Sequence, residues 1–189
     1  FDLQKTYQFM LVALAFLMPL TVSGVNIIIV AICLLWLFSG DYKAKYTQIM
    51  SSKLMLASIV FFCLHLVGML WTDDFHWGLH ILHKMWYFIL LFPILFNIVQ
   101  RKYTSYYLSS FMLAIAITEI ASYLVWFQII PEFKNATVGN PTPFMSHISY
   151  NPILALAIYI SYYNIFIQNN LSKFKFFIYS FFALSMTIN

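Results

Sequence analysis

The chain has 189 residues, of which 62% are hydrophobic, 20% aromatic and only 8% charged. Soluble domains carry about 25% charged residues, so a water-soluble globule would lack the polar side chains to cover itself, and an integral membrane protein is the class that remains. The net charge of +4 does not point to nucleic acid, because the basic residues sit in short segments between apolar runs rather than in one patch.

Taken in order, the apolar runs predict an all-α polytopic transmembrane helical bundle of about seven spans, the last incomplete. The first run, Tyr7 to Leu20, ends around Pro19, and the second, Val25 to Phe38, follows the turn Thr21–Gly24. Both fall short of the roughly 20 residues that cross a bilayer. They read either as two short spans extended by flanking Gln, Thr and Asn residues or as a re-entrant pair; two spans is the preferred reading. Ser39 to Lys53 reads as a loop, Leu54 to Trp71 as the third span and Thr72 to Lys84 as a polar connection. Met85 to Val99 reads as the fourth span, Gln100 to Tyr107 as a basic loop and Leu108 to Ile130 as the fifth span. Pro131 to Asn151 is the longest loop. Pro152 to Ile167 is the sixth span, Gln168 to Lys175 a loop, and Phe176 opens a seventh.

No repeat, low-complexity tract or linker divides the chain, so residues 1–189 read as one transmembrane domain. The first run lacks a small-residue cleavage site followed by a soluble domain, which argues against a signal peptide. A chain that starts at Phe1 and stops inside an apolar run at Asn189 is expected to be the N-terminal part of a longer membrane protein. Cys33 and Cys63 lie inside apolar runs and are expected to be buried thiols outside any disulfide framework.

Charge sets the expected orientation. With the N-terminus in the cytoplasm, Lys5, Lys43, Lys45, Lys53, Arg101, Lys102, Lys173 and Lys175 fall inside, and only Lys84 and Lys134 fall outside. That distribution obeys the positive-inside rule at every loop and supports counting the first two runs as spans. Trp71, Trp77, Trp86 and Trp126 then gather near the outer interface, as an aromatic belt does.

Few residues are placed to carry chemistry. Glu119 lies mid-span, where a carboxylate is costly unless paired, protonated or in a water-filled cavity. It reads as a proton or substrate contact, against a protonated side chain bonded to a neighbouring helix. Asp73, His76, His80 and His83 share one face if their segment is helical. Zinc is a weak reading of them, because an interfacial helix needs no metal and no Cys or Glu completes the set; no metal or other cofactor is expected. Asn135-Ala-Thr137 matches a glycosylation acceptor, a pattern common by chance. His65 reads as a helix-packing residue. The segment Pro141-Thr-Pro-Phe-Met-Ser-His-Ile-Ser-Tyr-Asn151 is polar between two apolar runs, its prolines shaping a non-helical lead into the next span. His147 within it suits an acid, a base or a phosphate contact, against a histidine bonded only to loop backbone.

Three stretches carry a family resemblance. Leu34-Leu-Trp-Leu-Phe-Ser-Gly-Asp-Tyr-Lys43 resembles the end of the second span in the O-antigen ligase family of bacterial membrane proteins. So does His65-Leu-Val-Gly-Met-Leu-Trp-Thr-Asp-Asp74, leading through Gly78-Leu79 into His83-Lys-Met-Trp-Tyr87. Pro143-Phe-Met-Ser-His-Ile148 is similar to the short motif before that family's sixth span. The resemblance implies a metal-independent glycosyltransferase at the outer face of the bacterial inner (plasma) membrane. It would move a glycan from an undecaprenyl-diphosphate carrier to a lipid A–core acceptor. An O-antigen polymerase is the alternative within the same superfamily. The family's arginines and reactive histidine lie late in its chain, beyond Asn189, so catalytic residues are not assigned and residues 1–189 alone are expected to be inactive.

On this topology Lys84, Lys134 and His147 are the expected donors to the anionic carrier, with Asp73 and Asp74 toward sugar hydroxyls and Glu119 as an interior contact. The expected partners are the lipid-linked glycan, its acceptor and the bilayer, without nucleic acid. Two rivals stand beside this reading: a proton-coupled transporter using Glu119, and a structural membrane subunit.

Overall fold

The structure, a computed structural model, describes residues 2–134, 136–137, 139–140, 142–167 and 173–188, with the side chains of 174, 175 and 188 outside that description. The expectations for Asn135, for Pro141, for residues 168–172 of the connection and for the Lys175 side chain therefore lie outside the described residues. Among the described residues the chain is all-helical, without a strand. An isolated β-bridge pairs Thr137 with Asn140.

Helix α1 covers Leu3–Leu17. Asp2 starts it: Oδ1 accepts the Lys5 backbone N–H at 3.2 Å, and Oδ2 pairs with Lys5 Nζ at 3.3 Å. Helix α2 covers Val22–Phe38, and Thr21 Oγ1 accepts the Gly24 N–H near its start. Gly40 and Asp41 then adopt left-handed backbone at φ 69° and 53°. Two such residues in succession reverse the chain, and helix α3, Tyr42–Ser51, leaves at 116° to α2. The predicted Ser39–Lys53 loop is therefore mostly helix. Its polar residues lie on a short, mostly exposed helix, which a reading based on apolar runs passes over.

Helix α4, Lys53–Gly68, follows at once, with Ser52 Oγ accepting the Met55 N–H. A 3₁₀ turn over Met69–Trp71 extends it. Helix α5 covers Phe75–Lys84, capped by Asp74, whose Oδ1 accepts the Trp77 N–H at 2.9 Å. The predicted connection is thus helical, but Asp73 precedes the helix and does not share the face of His76, His80 and His83.

The predicted Met85–Val99 span is broken into α6, Trp86–Ile89, and α7, Leu91–Ile98, separated at Leu90. Pro93 explains the restart. It has no N–H to return to the Ile89 carbonyl, and a proline sits most easily in a helix's first turn, which is where the restart places it.

Helix α8, Thr104–Trp126, begins and ends four residues before the predicted span. Its end is a Schellman closure: Gln128 sits at φ 58°, its N–H reaches the Val125 carbonyl, and the Ile129 N–H reaches Leu124. Helix α9 covers His147–Ile167, so the sixth span starts five residues earlier than predicted, with Pro152 inside it. The N–H groups of Ser149 and Tyr150 both reach the Ser146 carbonyl, which fixes this first turn. Helix α10 covers Lys173–Ile188.

Among the described residues three stretches are long and apolar enough to cross a membrane: α4 with its 3₁₀ extension, α8 with the 3₁₀ turn at Arg101–Tyr103, and α9. The bent α2–α3 pair makes a fourth if it counts as one span. Only 11% of the α4 stretch is buried by protein, and Leu54, Leu64 and Leu70 are exposed on it. A bilayer is the solvent that makes such a surface stable, and this is a membrane protein. Cys63, expected to be buried, is exposed on the same helix, and Cys33 is half-buried.

The chain forms two compact units, residues 1–11 with 27–103 and residues 12–26 with 104–189. In the first, short helices are tied by side chains reaching backbone or each other. Gln8 Nε2 donates to the Ile98 carbonyl at 2.9 Å and Ser58 Oγ to Phe88 at 2.6 Å. Trp36 Nε1 donates to Asn97 Oδ1 at 3.2 Å, and Asn97 Nδ2 donates to Gln48 Oε1 at 3.1 Å. In the second unit, Phe111 and Ile115 of α8, Tyr150, Leu154, Ala157 and Ile160 of α9, Met145, and Met186 of α10 form a continuous buried apolar cluster.

Candidate functional site

Helical spacing builds the centre of the second unit. On α8, residues 111, 115, 118, 122 and 125 recur at intervals of three or four, which puts Phe111, Ile115, Thr118, Ser122 and Val125 on one buried face with Glu119 beside them. On α9, Tyr150, Leu154, Ala157 and Ser161 do the same. The apolar members of both faces pack, and Tyr150 of α9 meets Thr118 and Glu119 of α8, whereas Ser161, three turns further along α9, donates to the Ala157 carbonyl.

Tyr150 is the hub. Its hydroxyl lies 2.7 Å from Thr118 Oγ1 and 3.0 Å from Glu119 Oε1. Thr118 Oγ1 also donates to the Ile115 carbonyl at 2.8 Å. On the other side of the carboxylate, Ser185 Oγ of α10 lies 3.4 Å from Glu119 Oε2 and 3.2 Å from the Tyr123 hydroxyl, and that hydroxyl donates to the Ser185 carbonyl at 2.8 Å. Glu119 is only 2% exposed. A carboxyl group in such a place is expensive without hydrogen bonds, and these hydroxyls supply them.

The arrangement accommodates both protonation states. An ionised Glu119 accepts from Tyr150 and Ser185. A protonated one donates to Tyr150, which passes a hydrogen to Thr118, and Thr118 passes one to the Ile115 carbonyl. Chemically this is a short chain of exchangeable hydrogens. Ser122, one turn along α8, has a buried hydroxyl without a hydrogen-bond partner. It faces a gap too tight for a water molecule, shared with Thr118, Tyr150 and the segment Thr142–Met145.

That segment closes the cluster from outside. Thr142, Pro143 and Met145 are buried, so this part of the loop is pinned into the helical core rather than draped over it. Thr142 Oγ1 donates to Asn140 Oδ1 at 3.0 Å, and the Asn140 N–H reaches Thr137 Oγ1 at 3.1 Å. The Phe144 ring meets Phe133 edge-on and carries Lys134 Nζ at 4.7 Å over its face. Lys134 is exposed and holds left-handed backbone at φ 52°. His147, the first residue of α9, is also exposed; Asn140 Nδ2 lies 3.4 Å from its Nδ1. When Asn140 donates there, Nε2 is the nitrogen left facing outward.

The structure thus places three of the expected site residues in one unit. Glu119 is internal, whereas Lys134 and His147 stand at the outer edge of the segment that covers it. The remaining three do not converge among themselves. Asp73 and Asp74 are exposed at the start of α5, with the Asp74 carboxylate occupied as a helix cap. Lys84 is the last residue of that helix, about 15 Å away along its axis. Among the described residues no three His, Cys, Asp or Glu side chains gather as a metal site.

No family model, curated protein or solved structure matches this chain. The site therefore rests on its own geometry. Its least anticipated members are Tyr150, Thr118, Tyr123 and Ser185, which surround Glu119. For Tyr150 and Thr118 the signal is present as polar positions in register with apolar ones, at 150, 154, 157 and 161 and again at 118, 122 and 125; Tyr123 and Ser185 fall outside these registers.

Proposed function

We propose that this chain belongs to an O-antigen ligase-like membrane glycosyltransferase. In this reading it helps to transfer a glycan from an undecaprenyl-diphosphate carrier to a lipid A–core acceptor at the outer face of a bacterial inner membrane. The observation that carries the reading is the pinned segment Thr142–Met145. Its buried Pro143 and Met145 fix the position of the exposed His147 at the head of α9, in the stretch whose sequence resembles the family motif. A lipid-linked diphosphate needs cationic and neutral donors held at a membrane edge. Lys134 and His147 are such donors, exposed on either side of the buried segment. The seven crossings, the cytoplasmic N-terminus, the role of Lys84 at the anionic carrier and those of Asp73 and Asp74 at the sugar belong to the same proposal. A polymerase would use the same edge and differ in its acceptor.

The test is glycan transfer by the full-length protein carrying His147→Ala. Transfer should fall while the amount of protein in the membrane stays constant. Unchanged transfer would remove His147, and with it the main support for this reading.

One observation favours a second reading, proton-coupled transport. A buried carboxyl, Glu119, is hydrogen-bonded through Tyr150 to Thr118 inside the second unit, in a short chain that ends at the Ile115 carbonyl. Under that reading Glu119→Gln abolishes substrate uptake coupled to a pH gradient, whereas glycan transfer requires no proton exchange there.

A further inference from the structure

Helix α5 carries a stripe of polar side chains that the site above does not use. His76, His80, His83 and Lys84 follow one another at helical spacing and share one side of the helix. All four are exposed. Among the described residues none of them makes a side-chain hydrogen bond or an ion pair. The His80 ring lies 5.3 Å from that of Trp77. Exposed apolar residues border the stripe, Phe75 and Leu79 on one flank and Trp77 on the other.

The contacts of α5 set the depth of this stripe. Gly78 packs so closely that a Cβ there would stand 2.7 Å from Met69 Sδ and 3.5 Å from Thr72 Cγ2. Ile81 and Leu82 share a cleft with Leu64 and His65 of α4. Further on, Ser58 Oγ donates to the Phe88 carbonyl, and the Phe61 and Phe88 rings meet at 5.0 Å. As the chain advances from Gly78 to Phe88, its partner on α4 recedes by about as many residues. The two segments therefore run antiparallel, and α5 doubles back along α4 instead of lying flat across its end. The α4 stretch has 19 residues and is about 28 Å long, close to the hydrocarbon thickness of about 30 Å. Its one lysine, Lys53, is its first residue and Trp71 its last, side chains that suit the two interfaces. In this register His76 is level with Leu70, His80 with Leu66 and Lys84 with Phe62. Lys84 is then midway along the stretch, about 13 Å from its nearer end.

A lysine reaches water by snorkelling from the end of a span, not from its middle. Imidazoles without partners are likewise costly among acyl chains. No acidic residue lies on α4, on its 3₁₀ extension, on α5 or on α6 to pair with the stripe. We infer that His76, His80, His83 and Lys84 border a water-filled crevice that is entered beside Asp73 and Asp74 and reaches mid-membrane at Lys84. Water satisfies all four side chains, and the apolar flanks keep the wet strip narrow. The crevice gives polar groups an aqueous route through half of the bilayer. This inference is independent of the glycosyltransferase reading.

Cysteine accessibility in open membrane fragments holding the full-length protein tests it. The native Cys63 is the control. It is exposed, level with His83, and by helical spacing it lies on the side of α4 away from Leu64, Gly68 and Thr72, which face α5. It is read with Cys33→Ala as background. His76→Cys, His80→Cys and His83→Cys are then introduced one at a time with both native cysteines replaced by alanine. The probe is a charged methanethiosulfonate, which reacts with the thiolate and so needs water. All three positions should react at least about tenfold faster than Cys63, because a thiolate among acyl chains is strongly disfavoured. Reaction at His76→Cys alone or at none of the three, as when lipid or another helix seals the stripe, overturns the inference. So does equal reaction at Cys63. A second measurement needs no substitution. In the unaltered protein a sulfonated N-hydroxysuccinimide ester should acylate Lys84 as well as Lys53, read by mass spectrometry. Lys84 left unmodified while Lys53 reacts also overturns the inference.

Discussion

In the second unit a helix of 23 residues and one of 21 run along a shared buried face. Their polar groups collect in one interior cluster around Glu119. In the first unit α4 has 16 residues, and α6 and α7 have 4 and 8. There the polar groups are spread along the helix ends as separate ties: Gln8 to Ile98, Trp36 to Asn97, Ser58 to Phe88, and Lys45 to the end of α2. Both units draw on the same oily composition. The difference comes from where the backbone is interrupted. Gly40 with Asp41, and Pro93, break helices in the first unit and create carbonyls and N–H groups that side chains must satisfy. Pro152 falls in the second unit but near the start of α9, where it removes one bond and does not end the helix. Long helices can concentrate their polar groups at one level, whereas short ones spend them on their ends.

The comparison can be broken at its strongest point first. Tyr150→Ala removes a ring from the apolar cluster and the hydroxyl between Thr118 and Glu119. It should cost about 3–5 kcal/mol, as large aromatic truncations in cores do, and a chemical-denaturation midpoint in micelles would show it. Tyr150→Phe isolates the hydroxyl. The cost should be about 1–3 kcal/mol, because Glu119 and Thr118 both lose a buried partner. Repeating it in a Glu119→Gln background should give a smaller loss, since the neutral amide is cheaper to leave short of a bond.

In the first unit no single tie should matter as much. Lys45→Ala removes the donor to the Trp36 carbonyl and a cation held 4.5 Å over the Trp36 ring. A loss of about 1–2 kcal/mol is expected, and it should be visible as faster amide exchange at the end of α2. The same loss as Tyr150→Ala would erase the contrast between the units. Gln128→Gly is expected to act in the opposite direction. It relieves left-handed backbone at φ 58° and should stabilise the α8 terminus by a few tenths of a kcal/mol up to about 1.

The smallest effect is at the N-terminus. The Lys5 backbone N–H, then its ammonium, hold the Asp2 carboxyl below its ordinary value of 3.8. A depressed carboxyl contributes stability above its unfolded pKa and loses it as pH falls through the folded value. Lowering the pH through and below 3.8 should therefore fray the first turn of α1 and speed exchange at Lys5, with little effect on the rest of the chain.

Much of this was legible from the residues alone. Apolar runs located α4, α8 and α9 to within a few residues, and the same reasoning singled out Glu119 and the 141–151 segment. The first miss was Pro93, whose lack of an N–H splits a run that hydropathy reads as continuous. The second was α3, whose Lys, Thr and Gln residues look like a loop until its capping turn at Gly40 and Asp41 is recognised. The third was the start of α9. Placing it at Pro152 left Tyr150 in a loop and hid its register with Leu154, Ala157 and Ser161. Once Ser146 is seen to cap the helix, Tyr150 belongs to the buried face and the partner of Glu119 is evident. The partition of Asp73 and Asp74 from Lys84 was not legible, because it depends on α5 being a helix along its whole length.

The most direct measurement compares glycan transfer from an undecaprenyl-diphosphate donor by two variants of the full-length protein, at matched membrane levels. Glu119→Gln keeps the volume and most of the hydrogen bonds of the interior cluster, and should retain transfer near the parent level. His147→Ala removes an exposed donor at the outer edge without touching the core, and should lose most of it. The reverse result, with transfer or uptake lost in Glu119→Gln and kept in His147→Ala, would contradict the glycosyltransferase account and place the working chemistry on the buried carboxyl.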